Sequence, residues 1–336
     1  MKSRVLSALG RVFTKQILSP ALGTVALALN MTGAAGADSF WTENPMHTAR
    51  LNHTATLLRN GKVLVAGGQG EHLTVLDSAE LYDPFNGTWT VASPMHHART
   101  MHTATLLSDG RVLVAGGVRY SRQAGILYTY VMLPARAELY DPAADKWMET
   151  GAPNMTSDSQ AATLLPNGNV LMVGADPGSG VRPLGNGRLE QHPAEQLGSS
   201  DEGEPSSAEI YDPAAGNWSM SGAMAVPRTD HTATLLPDGK VFVFGGGRKD
   251  ARVGAVPALH GKEFVFGGTP DGFADAELYD PASRKWTHIV NEQVVERVGH
   301  TATLLPDGKV LIAGGAHYDP LSSTALYNPG DASRKP

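Results

Sequence analysis

One short phrase is written into this chain again and again. The segment His-Thr-Ala-Thr-Leu-Leu begins at His53, His102, His231 and His300, and a variant, Gln-Ala-Ala-Thr-Leu-Leu, begins at Gln160. Each copy is followed by a glycine at the same offset: Gly67, Gly116, Gly174, Gly245 and Gly314. Further on comes AELYDP or a close variant, at 79–84, 137–142, 208–213, 276–281 and, as TALYNP, 324–329. A tryptophan follows at a fixed spacing in the first four copies: Trp89, Trp147, Trp218 and Trp286. Such a register limits the fold more than any composition does, because each copy is one supersecondary unit that buries its apolar face only against its neighbours.

Each segment within the unit reads as a short strand. TATLL and KVLVAGG are β-branched and apolar, and they are joined by Asn60-Gly61, Asp109-Gly110, Asn167-Gly168, Asp238-Gly239 and Asp307-Gly308. These dipeptides accept the positive φ angles of tight hairpins, so the first two strands form a hairpin. The tyrosine of ELYDP lies in a third strand closed by an Asp-Pro turn, and the tryptophan lies in a fourth. Four antiparallel strands make one propeller blade, and the fold class is all-β.

The unit resembles the kelch repeat in its double glycine, downstream tyrosine and spaced tryptophan, and the resemblance covers essentially all of 38–329. It implies a kelch-type β-propeller, related in fold to the propeller domain of galactose oxidase. Five four-stranded blades are predicted, with six as the alternative. The alternative rests on GKEFVFGG at 261–268, a near copy of GKVFVFGG at 239–246. The last unit has no tryptophan, whereas Trp41 stands upstream of His53 with no strands before it. The N-terminal segment is therefore expected to supply the missing outer strand of the last blade and close the ring, which removes a free edge.

The repetition fails in one place, the link between the second and third strands. It occupies 69–78 in the first unit, 118–136 in the second, 176–207 in the third and 247–275 in the fourth. In a four-stranded meander this link shares a face with the connection between blades, so the added length falls on one side, where binding surfaces of repeat rings are usually built. The second link carries Tyr120, Tyr128 and Tyr130, suited to stacking on a sugar or a peptide. The third is rich in Gly, Pro, Ser and acidic residues.

The units open with Arg-x-x-His: Arg50 and His53, Arg99 and His102, Arg228 and His231, Arg297 and His300. Four guanidiniums around one axis would favour a carboxylate or phosphate through charge-assisted hydrogen bonds. In some kelch adaptors arginines at this place bind acidic peptides, and in the periplasmic sialic-acid mutarotases arginine helps hold a sugar acid; the resemblance allows either. The competing reading pairs each Arg with the Glu of AELYDP. It meets a difficulty, since the third unit has Ser157 for Arg but keeps Glu209, while the fifth keeps Arg297 but has Ala325 for Glu. The histidines read best as caps at the start of a crowded inner strand. The third unit breaks the pattern with Ser157, Asp158 and Gln160, which join the four Arg and four His residues as candidate ligand-binding positions.

Composition narrows the function classes. Of 336 residues 41% are hydrophobic and 18% charged, an ordinary globular balance, and a net charge of −6 argues against nucleic acid, which rewards a basic field. Lys2, Arg4, Arg11 and Lys15 precede an apolar run ending in Ala35-Gly36-Ala37. This is a signal-peptide pattern, so the domains read as a signal peptide, 1–37, and an exported, periplasmic or secreted propeller, 38–336, without a membrane span. There is no cysteine, which excludes a disulfide framework, thiolate metal sites and the cross-linked cofactor of a copper-radical oxidase. No cofactor or metal is expected. A near-symmetric ring suits binding of a carbohydrate, a sugar acid or an acidic protein partner better than catalysis; the alternative is an enzyme acting on a sugar acid, a mutarotase, epimerase or lyase with an arginine-lined site.

Overall fold

The structure, a computed structural model, describes residues 44–121, 129–131, 136–153, 160–175, 181–183, 189–191, 206–226, 228–247, 273–290, 294–317 and 319–329. They form five antiparallel blades in a ring, a five-bladed β-propeller. Blade 1 consists of Thr54–Leu57, Val63–Ala66, Ala79–Asp83 and Thr88–Ala92, each strand bonded to the next in sequence. Blades 2, 3 and 4 repeat this order, starting at Thr103–Leu106, Ala161–Leu164 and Thr232–Leu235. Blade 5 has three strands among the described residues: Thr301–Leu304, Val310–Ala313 and Thr324–Tyr327. The fourth strand expected around Trp41, the signal peptide and the GKEFVFGG copy at 261–268 lie outside the described residues. No sixth blade is present among the described residues.

The hairpins form where the turn chemistry demands. The glycine of each Asn-Gly or Asp-Gly pair has positive φ, from 81° at Gly308 to 94° at Gly110, and the register pairs Thr54 with Ala66 and Leu57 with Val63. Val-Leu-Val-Ala and its variants then run as the second strand, buried on both faces because a blade is sandwiched between two others. Joint after joint is filled by the same residue types. Leu58, Leu64 and Ala66 of blade 1 pack against Val112, Val114, Tyr140 and Trp147 of blade 2, and three further clusters repeat the pattern up to the joint between blades 4 and 5.

The tyrosine and tryptophan are a recurring outer clasp. Their ring centroids lie 5.0 Å apart for Tyr82 and Trp89 and 4.9 Å for Tyr279 and Trp286. The tilted contact buries two large apolar faces at once. Each indole N–H donates across the joint to the exit of the preceding blade: Trp147 Nε1 to Ser93 O at 2.7 Å and Trp218 Nε1 to Gly151 O at 2.8 Å. Trp89 Nε1 does the same to Asn44 O at 2.8 Å. Residues 44–50 therefore occupy, ahead of blade 1, the place that 93–99 occupy ahead of blade 2.

Candidate functional site

The meander puts two kinds of connection on opposite faces. Turns between strands 1 and 2 and between strands 3 and 4 share one face, where Asn60, Gly110, Asp141 and Pro142 line a shallow groove of about 250 Å³. Links between strands 2 and 3 emerge on the other face, together with the entry of each unit. In blades 2, 3 and 5 this link contains a further two-stranded hairpin: Arg119–Ser121 with Thr129–Val131, Val181–Pro183 with Leu189–Gln191, and Ala316–His317 with Asp319–Pro320. The hairpins described in these links are thus on the face that carries the Arg-x-x-His segments.

The arginines do not face solvent there. Arg99, Arg228 and Arg297 are 1–2% exposed, and the Arg50 side chain is fully buried. Arg50 Nη2 lies 2.8 Å from Glu80 Oε1, Arg99 Nη2 lies 3.0 Å from Glu138 Oε1, and Arg228 Nη2 lies 3.1 Å from Glu277 Oε1. Each guanidinium also donates to the carbonyl of the first glycine, Gly67, Gly116, Gly245 or Gly314. Its next acceptor is the carbonyl ahead of the third strand: Ser78, Arg136, Asp275 or Ser323. These carbonyls sit where the ladder between strands 2 and 3 runs out, and buried acceptors without donors would be costly. The guanidiniums of Arg50, Arg99, Arg228 and Arg297, expected from the sequence at a ligand site, thus finish the blade's own hydrogen bonding.

The glutamates complete the device from the other side. Glu80 accepts the backbone N–H groups of His47 and Thr48, Glu138 those of His96 and His97, and Glu277 those of Ala225 and Val226. One buried ion pair thus stitches the incoming segment to the end of the sheet. Burial alone would push the Glu80 carboxyl up, yet the donors from His47, Arg50 and Thr48 hold it below its ordinary value. Blade 5 lacks the carboxylate at Ala325, and Ser323 Oγ accepts from Arg297 Nη2 at 3.0 Å instead. Burial lowers the pKa of Arg297, with no carboxylate to offset it.

The histidines point into the joints. The residue before each lies in the left-handed region (Asn52 φ 52°, Met101 φ 56°, Asp230 φ 54°, Gly299 φ 62°), which swings the imidazole away from the Arg side. His102 Nε2 meets Thr54 Oγ1 of the preceding blade at 2.9 Å, and His300 Nε2 meets Thr232 Oγ1 at 3.0 Å. The imidazole fits because Gly67 has no side chain: a Cβ there would stand 2.8 Å from His102 Cε1 and 2.6 Å from Arg99 O. Burial lowers the pKa of His102 and His231 to about 3 and that of His300 to about 4, with the neighbouring Arg contributing in each case. These rings are neutral and close-packed, unsuited to proton transfer near neutrality. His53 is half-buried, and Gln160, its counterpart in blade 3, keeps an unpartnered Oε1 in the joint. Ser157 and Asp158 lie outside the described residues. Among the described residues no group of three His, Asp or Glu side chains could hold a metal ion.

Fold and repeat geometry define the class: a five-bladed β-propeller with an Arg–Glu stitch in blades 1, 2 and 4 and a glycine-seated histidine in blades 2, 4 and 5. A model of the family described as Kelch motif matches residues 50–96, which spans blade 1 and the segment leading into the second unit. The recurrence of the same landmarks in the other blades supports a kelch-repeat propeller throughout. No curated protein matches the chain.

Proposed function

We propose that this chain is an exported interaction module that holds a protein partner, or an extended carbohydrate, on the face bearing the links between the second and third strands. A kelch propeller is in general a scaffold for protein interaction, and export is read from the pattern at 1–37. One observation carries the reading: among the described residues the inserted hairpins lie on that face, while the arginines and histidines of the Arg-x-x-His segments are buried in ion pairs and joints. Variation is thereby confined to loops on a rigid frame. With the guanidiniums tied up, charge selectivity falls to the loops, and a sugar-acid enzyme has no exposed arginine clamp to work with among the described residues. Among the described residues no helix is long and apolar enough to cross a membrane.

The test uses the chain 38–336 against a glycan array and a displayed peptide library. The tightest ligand is then titrated against a variant whose link 118–136 is replaced by 69–78 of blade 1. A loss of affinity of tenfold or more at unchanged melting temperature supports the proposal. Unchanged affinity, or turnover of a sugar acid, contradicts it.

A further inference from the structure

Four joints in the ring are drawn tight and the fifth, between blade 5 and blade 1, is not. Each of the four hydrophobic clusters joins adjacent blades, and among the described residues none joins blade 5 to blade 1. The two faces that would meet there are open. On the face of blade 1 turned toward blade 5, Leu57 is 64% exposed, whereas its counterparts Leu106, Leu164 and Leu235 pack into clusters. Leu305 and Leu311 are half-buried where Leu107 and Leu113 are 2% exposed, and Val63 is half-buried where Val112 is fully buried.

The specific contacts of a joint lapse in the same place. A Cβ on Gly245 would stand 2.6 Å from His300, but one on Gly314 would meet only Leu321 O, at 3.7 Å. Gly110, Gly168, Gly239 and Gly308 each approach the hairpin tip of the preceding blade at 3.4–3.7 Å, while Gly61 meets nothing within 4 Å. Thr301 is exposed and its Oγ1 donates to Ala313 O of its own blade, leaving His53 without the threonine that His102 and His300 have.

We propose that these two faces pair with a second copy of the chain, blade 5 of each copy seating on blade 1 of the other. The occupant follows from complementarity. The trailing face of blade 5 and the leading face of blade 1 are the two halves of a joint that the chain builds four times, so the surface that fits either one best is the other. Among the described residues of one copy they do not meet, and exposed aliphatic faces of this kind mark an interface. A two-fold axis makes both joints at once and leaves no such face uncovered. The proposal stands apart from the loop-face reading and concerns a different surface.

The chain has no cysteine, so cross-links can be placed at will. Thr303→Cys and Ala55→Cys occupy the positions at which Thr163 Oγ1 and Ala233 O lie 3.2 Å apart across the tight joint between blades 3 and 4. Mixed under oxidising conditions, the two single variants are expected to give a disulfide-linked dimer, and neither is expected to do so alone. By sedimentation the unmodified chain is expected to be a dimer, and Leu57→Glu with Leu305→Glu a monomer with unchanged circular dichroism. A monomeric chain, a doubly substituted Thr303→Cys/Ala55→Cys chain that cross-links only within itself, or a dimer indifferent to the Glu variant overturns the proposal.

Discussion

Thr54 Oγ1 of blade 1 and His102 Nε2 of blade 2 are 2.9 Å apart, a hydrogen bond that crosses the joint between two inner strands. Thr232 and His300 repeat it at 3.0 Å. Between blades 3 and 4 the bond is missing because Ala161 stands where the threonine would be, and His231 is left with both ring nitrogens unpartnered.

Ala161→Thr is therefore expected to stabilise the fold. A restored hydrogen bond to a buried ring contributes about 1 kcal/mol. The denaturant midpoint should rise with its slope unchanged; a midpoint that stays or falls would mean that the site cannot seat the methyl group.

Acid should weaken the propeller well before carboxylates titrate. His102 and His231 have folded values of about 3 and His300 about 4, against an ordinary 6.5. Between those limits the unfolded chain binds protons that the folded chain refuses, so stability is full above pH 6.5 and declines as the pH falls below it. Glu80, held low, adds its own loss as the pH falls below its ordinary 4.5. Urea midpoints at pH 7.5, 6.5, 5.5 and 4.5 check this, and a flat profile down to pH 4.5 would refute the burial of neutral imidazoles.

Breaking a stitch should cost more than removing it. Glu138→Gln leaves the buried Arg99 charge unpaired, and losses of about 3–5 kcal/mol are typical of such changes. Arg99→Met combined with Glu138→Leu is expected to lose less than the two single changes added together, measured as a double-mutant cycle. Conversely, Ala325→Glu gives Arg297 the carboxylate that its counterparts have, and a higher melting temperature is expected.

Gly67→Ala should be among the most damaging substitutions, since φ is +61° and the new methyl would press on Arg99 O and His102 Cε1. Gly61→Ala, in open space, carries the strain of its φ alone. Thermal melts of the pair separate the crowding of the joint from backbone strain: equal losses would mean that the seating of His102 matters little.

The blades were legible in the sequence because their cause is local. Asn60-Gly61 and its equivalents specify hairpins, alternate apolar residues specify the buried strands, and Trp89 and its equivalents mark the outer strand. The destination of the arginines was not legible. Their main acceptors are backbone carbonyls, such as Gly67 O and Ser78 O, and the donors to Glu277 are the amides of Ala225 and Val226, so no side-chain pattern reports them. That is why Arg297 could persist opposite Ala325: Ser323 Oγ and three carbonyls suffice to bond it. The weak joint between blades 5 and 1 was equally hidden, since Leu57 and Leu305 sit in the same words as their buried counterparts.

The central claim is that recognition belongs to the loops of one face and the repeated Arg-x-x-His set belongs to the frame. Backbone amide exchange of the chain 38–336, with and without the tightest ligand from the array or library, tests it most directly. Protection confined to 118–136, 176–207 and 247–275 is the expected result. Protection centred on the hairpin turns of the opposite face, around Asn60, Gly110 and Asp141, would contradict it.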